Sequence, residues 1–177
     1  MQLFNMDVLK QKWYHWFNTL DVNHDGMITR DDVDHTLKGL TEKEGAVANK
    51  IIEKWWNTYI LKGRNKMTKN EFIKDLQKQY TEDKHMFIKT MRACVAEIVS
   101  IAFTEKTKSI SVDSFVKAFK VWGYDNEDLL RKCFERYQPG HDMVSIEEYT
   151  NDWVVFVTNE KPSKLDVVFD TYRAGLK

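Results

Sequence analysis

Residues 21–32 read Asp-Val-Asn-His-Asp-Gly-Met-Ile-Thr-Arg-Asp-Asp, and this stretch decides how the rest of the chain is interpreted. Oxygen-bearing side chains stand at alternate positions before a single glycine and continue after it. The glycine is the sixth residue, where a tight loop has to reverse with a positive φ that glycine adopts at little steric cost. The spacing therefore indicates a turn that directs several oxygen atoms toward one point.

This pattern predicts a calcium-binding EF-hand loop. Calcium takes six to eight oxygen ligands, and such a loop supplies them from its first, third, fifth, seventh, ninth and twelfth positions. The predicted ligands are Asp21, Asn23, Asp25, the backbone carbonyl of Met27, Thr29 and Asp32. Ile28 holds the eighth position, where a β-branched residue can pair with a second loop through a short ladder. The alternative is an Asx-rich turn between two helices that binds no ion.

The twelfth residue departs from the usual pattern, because Asp32 stands where a glutamate is normal. Its side chain is one methylene shorter. If Asp32 reaches the ion with one oxygen only, the number of ligands falls toward six, and the preference for calcium over magnesium narrows. We expect a calcium dissociation constant of about 10⁻⁷ to 10⁻⁵ M, with Mg²⁺ competing at cellular concentrations.

Length and charge limit the classes of protein to consider. The chain has 177 residues, with 27 basic and 27 acidic residues and a formal net charge of zero. The basic residues form no stripe of the kind that would indicate nucleic-acid binding. The first residues lack a basic region followed by an apolar run, and no stretch approaches the roughly eighteen apolar residues of a membrane span. We expect a cytoplasmic protein without a nucleic acid, membrane or obligate protein partner.

The apolar pattern beyond the loop is helical. Apolar residues recur at steps of three and four, and only two prolines and seven glycines are present to make turns. Because one helix–loop–helix unit cannot bury its own apolar face, further units are expected. Alignment on the apolar eighth position places three more loops at residues 60–71, 103–114 and 137–148. We predict an all-α protein of four EF-hand units in two pairs forming one compact body, with three loops degenerate.

The units divide into two halves. Residues 1–80 are predicted to form an N-terminal pair with an active first loop and a degenerate second loop. Residues 84–177 are predicted to form a C-terminal pair with two degenerate loops and a tail that packs back. The tail carries Leu165, Val168 and Phe169 at helical steps, which favours docking in an apolar groove. Such docking would close a surface that calcium sensors leave available to targets.

The three later loops have lost ligand chemistry. In the second, Lys62, Arg64 and Lys66 place positive charge where a cation would lie, so Coulomb repulsion opposes binding. The third loop keeps one carboxylate, Glu105, among weaker oxygen donors. The fourth has Asp142 instead of glycine at its sixth position. Weak binding by the third loop remains open at this point.

The core is predicted from the same helical stripes. Aromatic residues make up 13% of the chain, which implies a large apolar core and leaves room for a ligand cavity. Ile51, Trp55 and Trp56 are expected inside it. Cys94 and Cys133 are expected to be reduced, buried thiols, since two cysteines in helical patterns make no disulfide framework.

Four blocks of sequence carry a resemblance to a known family. They are WYHWFNTLDVNHDG at 13–26, KWWNTYI at 54–60, TMRAC at 90–94 and WVVFVT at 153–158. In these blocks the chain resembles the molluscan type of the invertebrate sarcoplasmic calcium-binding proteins. The resemblance implies two pairs of EF-hands in one body that opens poorly, with some loops inactive. It also implies calcium and magnesium buffering in the cytosol, notably in muscle. Members usually keep two or three working loops, including the third, whereas residues 103–114 of this chain keep one carboxylate among the ligand positions.

Two alternatives use the same architecture. A calexcitin-like calcium sensor would expose an apolar groove when calcium binds. A luciferin-binding or photoprotein-like relative would hold an apolar small molecule. Light emission is disfavoured, because photoproteins carry a His-x-Trp before the first loop, whereas this chain has His15 directly before Trp16, and its end lacks their terminal proline. Storage of some apolar molecule stays open. No catalytic motif occurs, so we predict no enzyme activity.

Overall fold

The computed structural model describes residues 6–41, 45–103 and 108–176. Apart from four three-residue strands and one π-helical turn, its regular structure is α-helical, as predicted. The elements in chain order are α1 (Met6–Leu20), β1 (Met27–Thr29), α2 (Arg30–Thr41), α3 (Gly45–Trp55), a π-helical turn (Trp56–Leu61), β2 (Lys66–Thr68), α4 (Lys69–Glu82), α5 (Lys84–Ala102), β3 (Ser109–Ser111), α6 (Val112–Val121), α7 (Glu127–Tyr137), β4 (Met143–Ser145), α8 (Ile146–Thr158) and α9 (Asp166–Gly175).

The strands pair the loops two by two. β1 and β2 are antiparallel, with Ile28 opposite Met67. β3 and β4 are antiparallel, with Ile110 opposite Val144. These four residues are the apolar eighth positions on which the sequence was aligned. The predicted architecture of four EF-hand units in two pairs is thereby confirmed.

Helix starts follow from capping residues. Thr68 and Glu71 form a capping box at the start of α4. Ser111 caps α6 and Ser145 caps α8, in both cases by accepting a hydrogen bond from the backbone N–H three residues on. A side-chain oxygen at this place satisfies an N–H that the helix leaves unpaired. Each of these helices therefore begins directly after its strand.

One hydrophobic core runs through both halves of the molecule. Trp13 of α1 packs edge to face against Phe87 of α5, with 6.0 Å between ring centroids. Its indole N–H donates to the carbonyl of Val157 at 2.8 Å. Cys94 and Cys133 are free thiols buried in this core. Residues far apart in the chain thus share one apolar interior.

Ile51 is a correction to the predicted core. Its side chain is 48% exposed, whereas Ile52 and Trp55 on the same helix are buried. A helix buries residues three and four apart on one face, and Ile52, Trp55 and Trp56 fill the face of α3 that meets the core. Ile51 lies outside that arc and contacts solvent.

The second loop is shorter in the structure than the predicted range of residues 60–71. The π-helical turn continues the helix to Leu61, and Ile60 is buried within it. A π turn holds more residues than an α turn, which here keeps Trp56 and Ile60 directed inward together. The chain leaves the helix through Lys62 (φ 51°) and Gly63 (φ 82°). Tertiary packing of these apolar residues has therefore shortened the loop.

The C-terminal segment packs on the body of the protein. α9 lies along α7, and Leu165, Val168 and Phe169 are buried. The ring of Phe169 stacks on His15 of α1 at 5.2 Å and on Phe156 of α8 at 5.0 Å. None of the helices in the described ranges is both long and apolar enough to cross a membrane.

Candidate metal centre

The first loop lies between the end of α1 and the start of α2. The N–H of Asp21 donates to the carbonyl of Phe17 at 2.8 Å, which joins the loop to the last turn of α1. Two residues then take left-handed backbone conformations, His24 at φ 58° and Gly26 at φ 88°. The glycine stands where the sequence places the reversal, and β1 follows it directly.

The carboxylate of Asp21 is almost fully buried, at 3% exposure. It accepts hydrogen bonds from the N–H groups of Asp25 at 3.2 Å and Gly26 at 2.9 Å. On the exposed side of the loop, Asn23 Oδ1 accepts from the N–H of Asp25 at 3.1 Å, and Asp25 Oδ1 accepts from the N–H of Met27 at 2.9 Å. Backbone N–H groups of the loop thus fix the positions of its acidic side chains through hydrogen bonds.

Asp32 closes the loop from the first turn of α2 and is 0% exposed. Its Oδ1 accepts from the N–H of Val22 at 2.9 Å, and its Oδ2 accepts from the N–H of Thr29 at 2.8 Å. Burial raises the pKa of Asp32, these backbone hydrogen bonds oppose the rise, and the charge of Asp21 adds to it. The two acids therefore lie near enough to repel each other.

The donor set fits a hard dication in its chemistry. Asp21 and Asp32 are buried carboxylates, and neither forms an ion pair with any residue in the described ranges. Buried charge of one sign is unfavourable unless a counter-charge is present. The side-chain donors, Asp21, Asn23, Asp25, Thr29 and Asp32, are all oxygen ligands, and the carbonyl of Met27 would complete the set. Calcium and magnesium prefer oxygen ligands.

In this conformation the acidic side chains of the first loop do not converge on one metal position. Within the described residues, no three Asp, Glu, His or Cys side chains are grouped closely enough to hold an ion together. Asp21 and Asp32 are buried, whereas Asp25 is exposed and accepts a hydrogen bond from the side-chain amide of Asn23 at 3.3 Å. The hydrogen bonds within the loop account for this arrangement.

In the second and third loops, the twelfth residue works as part of a helix cap. Glu71 accepts from the N–H and the hydroxyl of Thr68, both at 2.8 Å, in the capping box of α4. These bonds hold the pKa of Glu71 below its usual value. In the third loop, Ser114 bonds to the hydroxyl of Ser111 at 3.0 Å. Lys108 keeps the left-handed turn at the sixth position of that loop, with φ 55°.

The acid of the fourth loop has an internal cation. Lys164, from the segment between α8 and α9, places its ammonium 2.6 Å from Glu148 Oε1, and Gln138 donates to the same oxygen at 3.1 Å. This lysine holds the pKa of Glu148 below its usual value. Sequence reasoning missed Lys164, because the contact spans sixteen residues and a helix. The turn of this loop lies at Gly140 (φ 76°).

Comparison with known proteins decides the family. The chain is 33% identical over 176 residues to the sarcoplasmic calcium-binding protein of Mizuhopecten yessoensis, and the match covers 95% of this chain and 99% of that protein. The chain belongs to the sarcoplasmic calcium-binding proteins. The resemblance predicted from sequence is thus confirmed, and this relative is a calcium-binding protein, as expected. No protein-family model matches the chain.

Solved structures show the same fold in more distant proteins. The calcium-loaded apo form of coelenterazine-binding protein from Renilla muelleri aligns with a TM-score of 0.72 at 15% identity, covering 96% of this chain and 98% of that one. Calcium-loaded apo-aequorin from Aequorea victoria aligns with a TM-score of 0.60 at 19% identity, covering 87% and 92%. A Streptomyces coelicolor calcium-binding protein aligns with a TM-score of 0.58 at 21% identity, covering 85% of this chain and 98% of that one. These structures share the EF-hand fold with the sarcoplasmic calcium-binding proteins.

This member of the sarcoplasmic calcium-binding proteins also has an apolar cavity of about 70 Å³ that is partly open to solvent. Four tryptophans line it, Trp16, Trp55, Trp122 and Trp153, together with Tyr149. The indole N–H of Trp55 donates to the carbonyl of Cys94 at 2.8 Å. Those of Trp16 and Trp122 have no acceptor among the described residues. The cavity is smaller than the roughly 150 Å³ space that accepts benzene in an engineered protein core.

Proposed function

We propose that the first loop is the single metal site of this protein, that it binds calcium with magnesium competing, and that the protein buffers these ions in the cytoplasm. One observation carries the proposal: Asp21 and Asp32 are both buried, near enough for the charge of Asp21 to raise the pKa of Asp32, and neither has an ion pair in the described part of the chain. Asn23, Asp25, Thr29 and the carbonyl of Met27 complete the proposed ligand set. A bound dication would neutralise the two buried acids.

The second and fourth loops support the restriction to one site, while Glu105 of the third loop lies outside the described residues. Glu71 serves a helix cap, and Glu148 is paired with Lys164. Binding a metal there would require these bonds to break, in addition to the ligands already missing from the sequence. We therefore propose that residues 1–80 form the metal-binding half and that residues 84–177 form a supporting half without a site.

Calorimetric titration of the metal-stripped protein with calcium tests the proposal. We expect one site, which weakens when millimolar Mg²⁺ is present. Asp21→Asn keeps the size of the side chain but removes the charge, and it should abolish that site. Asp142→Asn removes a carboxylate from the fourth loop and is the matched control, with expected binding equal to that of the unaltered protein. Two or more sites, or binding that survives Asp21→Asn, would show that another loop binds metal.

A buffer and a sensor differ in their exposed apolar surface. α9 covers the apolar face of α7, and a sensor would have to release this helix when calcium binds. As a buffer, the protein should give the same low fluorescence with an apolar dye in calcium and in chelator. Dye fluorescence that rises only with calcium would instead support the calexcitin-like sensor.

The cavity favours a second function, the carriage of a small apolar molecule with one hydrogen-bond acceptor. The indole N–H groups of Trp16 and Trp122 are the available donors. At about 70 Å³, the space suits at most a compact molecule and not a luciferin of several rings. We expect phenol, and not coelenterazine, to shift the indole N–H resonances of these two tryptophans.

Two alanines provide the matched variants for this second function. Ala118 lines the cavity and Ala48 does not, although both are 8% exposed. Ala118→Leu should fill the space and abolish the phenol-induced shift, whereas Ala48→Leu should leave the shift in place. If phenol causes no shift in the unaltered protein, this second function is wrong.

A further inference from the structure

The connection between α6 and α7 lies against the first loop, although the two belong to different halves. Gly123 in this connection has φ 85°. A Cβ added to Gly123 would lie 2.8 Å from the carbonyl oxygen of Val22 and 3.5 Å from Nε2 of His24. Real Cβ atoms essentially never lie within 3.0 Å of a neighbouring heavy atom. Glycine is therefore required here by both the backbone conformation and the approach to the loop.

Tyr124, the next residue, holds the end of α1. Its hydroxyl lies 2.7 Å from Oγ1 of Thr19, two residues before Asp21. The hydrogen of the Thr19 hydroxyl is directed to the carbonyl of His15 at 2.9 Å, so Tyr124 is the donor in the shared bond. Burial raises the pKa of Tyr124 to about 12, so this hydroxyl remains a donor well above neutral pH.

The peptide group between Val22 and Asn23 connects these contacts to a candidate ligand. Its carbonyl faces Gly123, and its N–H, that of Asn23, lies 3.4 Å from Oδ1 of Asp32. The N–H of Val22 donates to the same oxygen at 2.9 Å. Movement of this peptide would therefore change the position of the Asp32 carboxylate.

We infer that Gly123 and Tyr124 are positioning residues for the metal loop, through which the C-terminal half sets the calcium affinity of the N-terminal half. The inference rests on the proposed function of the first loop. The contact is reciprocal, so calcium in the loop also stabilises the docking of the α6–α7 connection. Tyr124 extends the contact to the tail, since its ring packs on Tyr172 of α9 at 5.0 Å.

The test compares two glycines with the same backbone requirement. Gly123→Ala and Gly140→Ala both place a side chain at a positive φ, but a Cβ at Gly140 meets nothing within 4 Å. Both variants should be less stable in urea, because alanine disfavours this conformation. Calorimetry should show a calcium dissociation constant about tenfold higher for Gly123→Ala, equivalent to about 1.4 kcal/mol. For Gly140→Ala, the constant should remain that of the unaltered protein.

Tyr124→Phe keeps the inference testable if Gly123→Ala fails to fold. It removes only the hydroxyl that bonds to Thr19, and it should weaken calcium binding in the same direction. In a double-mutant cycle, its effect on affinity should disappear in a Thr19→Val background. If the unaltered protein binds calcium and both Gly123→Ala and Tyr124→Phe bind equally well, the inference is wrong and the proposed function stands. If Asp21→Asn does not abolish binding, the proposed function fails, and the inference fails with it.

Discussion

At the scale of single residues, the acid in the last position of an EF-hand loop has a role that depends on its neighbours. Asp32 is buried with a second acid nearby. Glu71 is held by Thr68 in a helix cap, and Glu148 is held by Lys164. All three side chains are carboxylates, but only Asp32 combines burial with the lack of a cation in the described part of the chain. The first loop is for this reason the best candidate for a metal.

Lengthening Asp32 tests how this residue limits metal binding. In Asp32→Glu, the longer side chain can supply both oxygens to the ion, so calcium affinity should rise about tenfold, with a smaller gain for magnesium. Paired titrations with calcium and magnesium would measure the change. Asp31→Glu lengthens the neighbouring exposed acid and should leave both affinities unchanged. A variant with unaltered or weaker calcium binding would mean that Asp32 does not limit the site.

His15 provides a test that depends on pH. Burial lowers the pKa of His15, Arg173 lowers it further, and Asp170 and Asp166 partly oppose the shift. A histidine pKa lower in the folded state means that protonation favours unfolding. The stabilising effect of neutral His15 is complete when the pH is above the unfolded-state pKa of about 6.5. This effect is lost as the pH falls below that value. His15→Gln should therefore lose less stability than the unaltered protein between pH 7.5 and pH 5.5 in urea titrations. Parallel curves would contradict this.

At the scale of elements, the connection between α8 and α9 is fixed by a buried lysine of α1. Lys12 is 3% exposed, and its ammonium donates to the carbonyls of Asn159 at 2.9 Å and Lys161 at 2.5 Å. Asp166, at the start of α9, lies 3.6 Å away. The first helix of the described chain thus holds the last helix in place. Sequence periodicity predicted that α9 would be helical, but it gave no sign of this lysine contact.

Lys12→Met measures how much this contact contributes. The variant keeps much of the apolar stem but leaves two carbonyls without their donor, so the free energy of unfolding should fall by about 1–3 kcal/mol. Chemical denaturation would detect the loss. Lys10→Met removes a charge from the same helix at a residue without an ion pair or a side-chain hydrogen bond in the described structure, and it should change stability by less than about 0.5 kcal/mol. Equal stability of the two variants would exclude the proposed role of Lys12.

At the scale of the whole molecule, the core connects elements that are distant in sequence. The aromatic contacts of Trp13 join α1 to α4 and α5, and those of Phe169 join α9 to α1 and α8. The candidate metal loop lies at the edge of this body, and its own backbone already satisfies the buried acids. We therefore expect the helices to pack together without a bound metal.

Removal of metal should leave the fold intact. In chelator, far-ultraviolet circular dichroism should retain nearly all of the helical signal at 25 °C, while calcium raises the unfolding midpoint through binding to the native state. The shift of the midpoint should disappear in Asp21→Asn. A large loss of helical signal in chelator would mean instead that the ion is required for folding.

Features that depend on near neighbours along the chain were predictable from the order of residues alone. The candidate ligands lie within twelve residues, the glycine turn is set by its own φ, and the helices follow from apolar residues three and four apart. The pairing of Ile28 with Met67 was predictable because both hold the same position in a repeated unit. The packing of the helices was needed to show that Ile51 faces solvent, that Lys164 pairs with Glu148, and that Gly123 lies against Val22. These depend on how helices pack in three dimensions, and spacing along the chain carries no direct record of that packing.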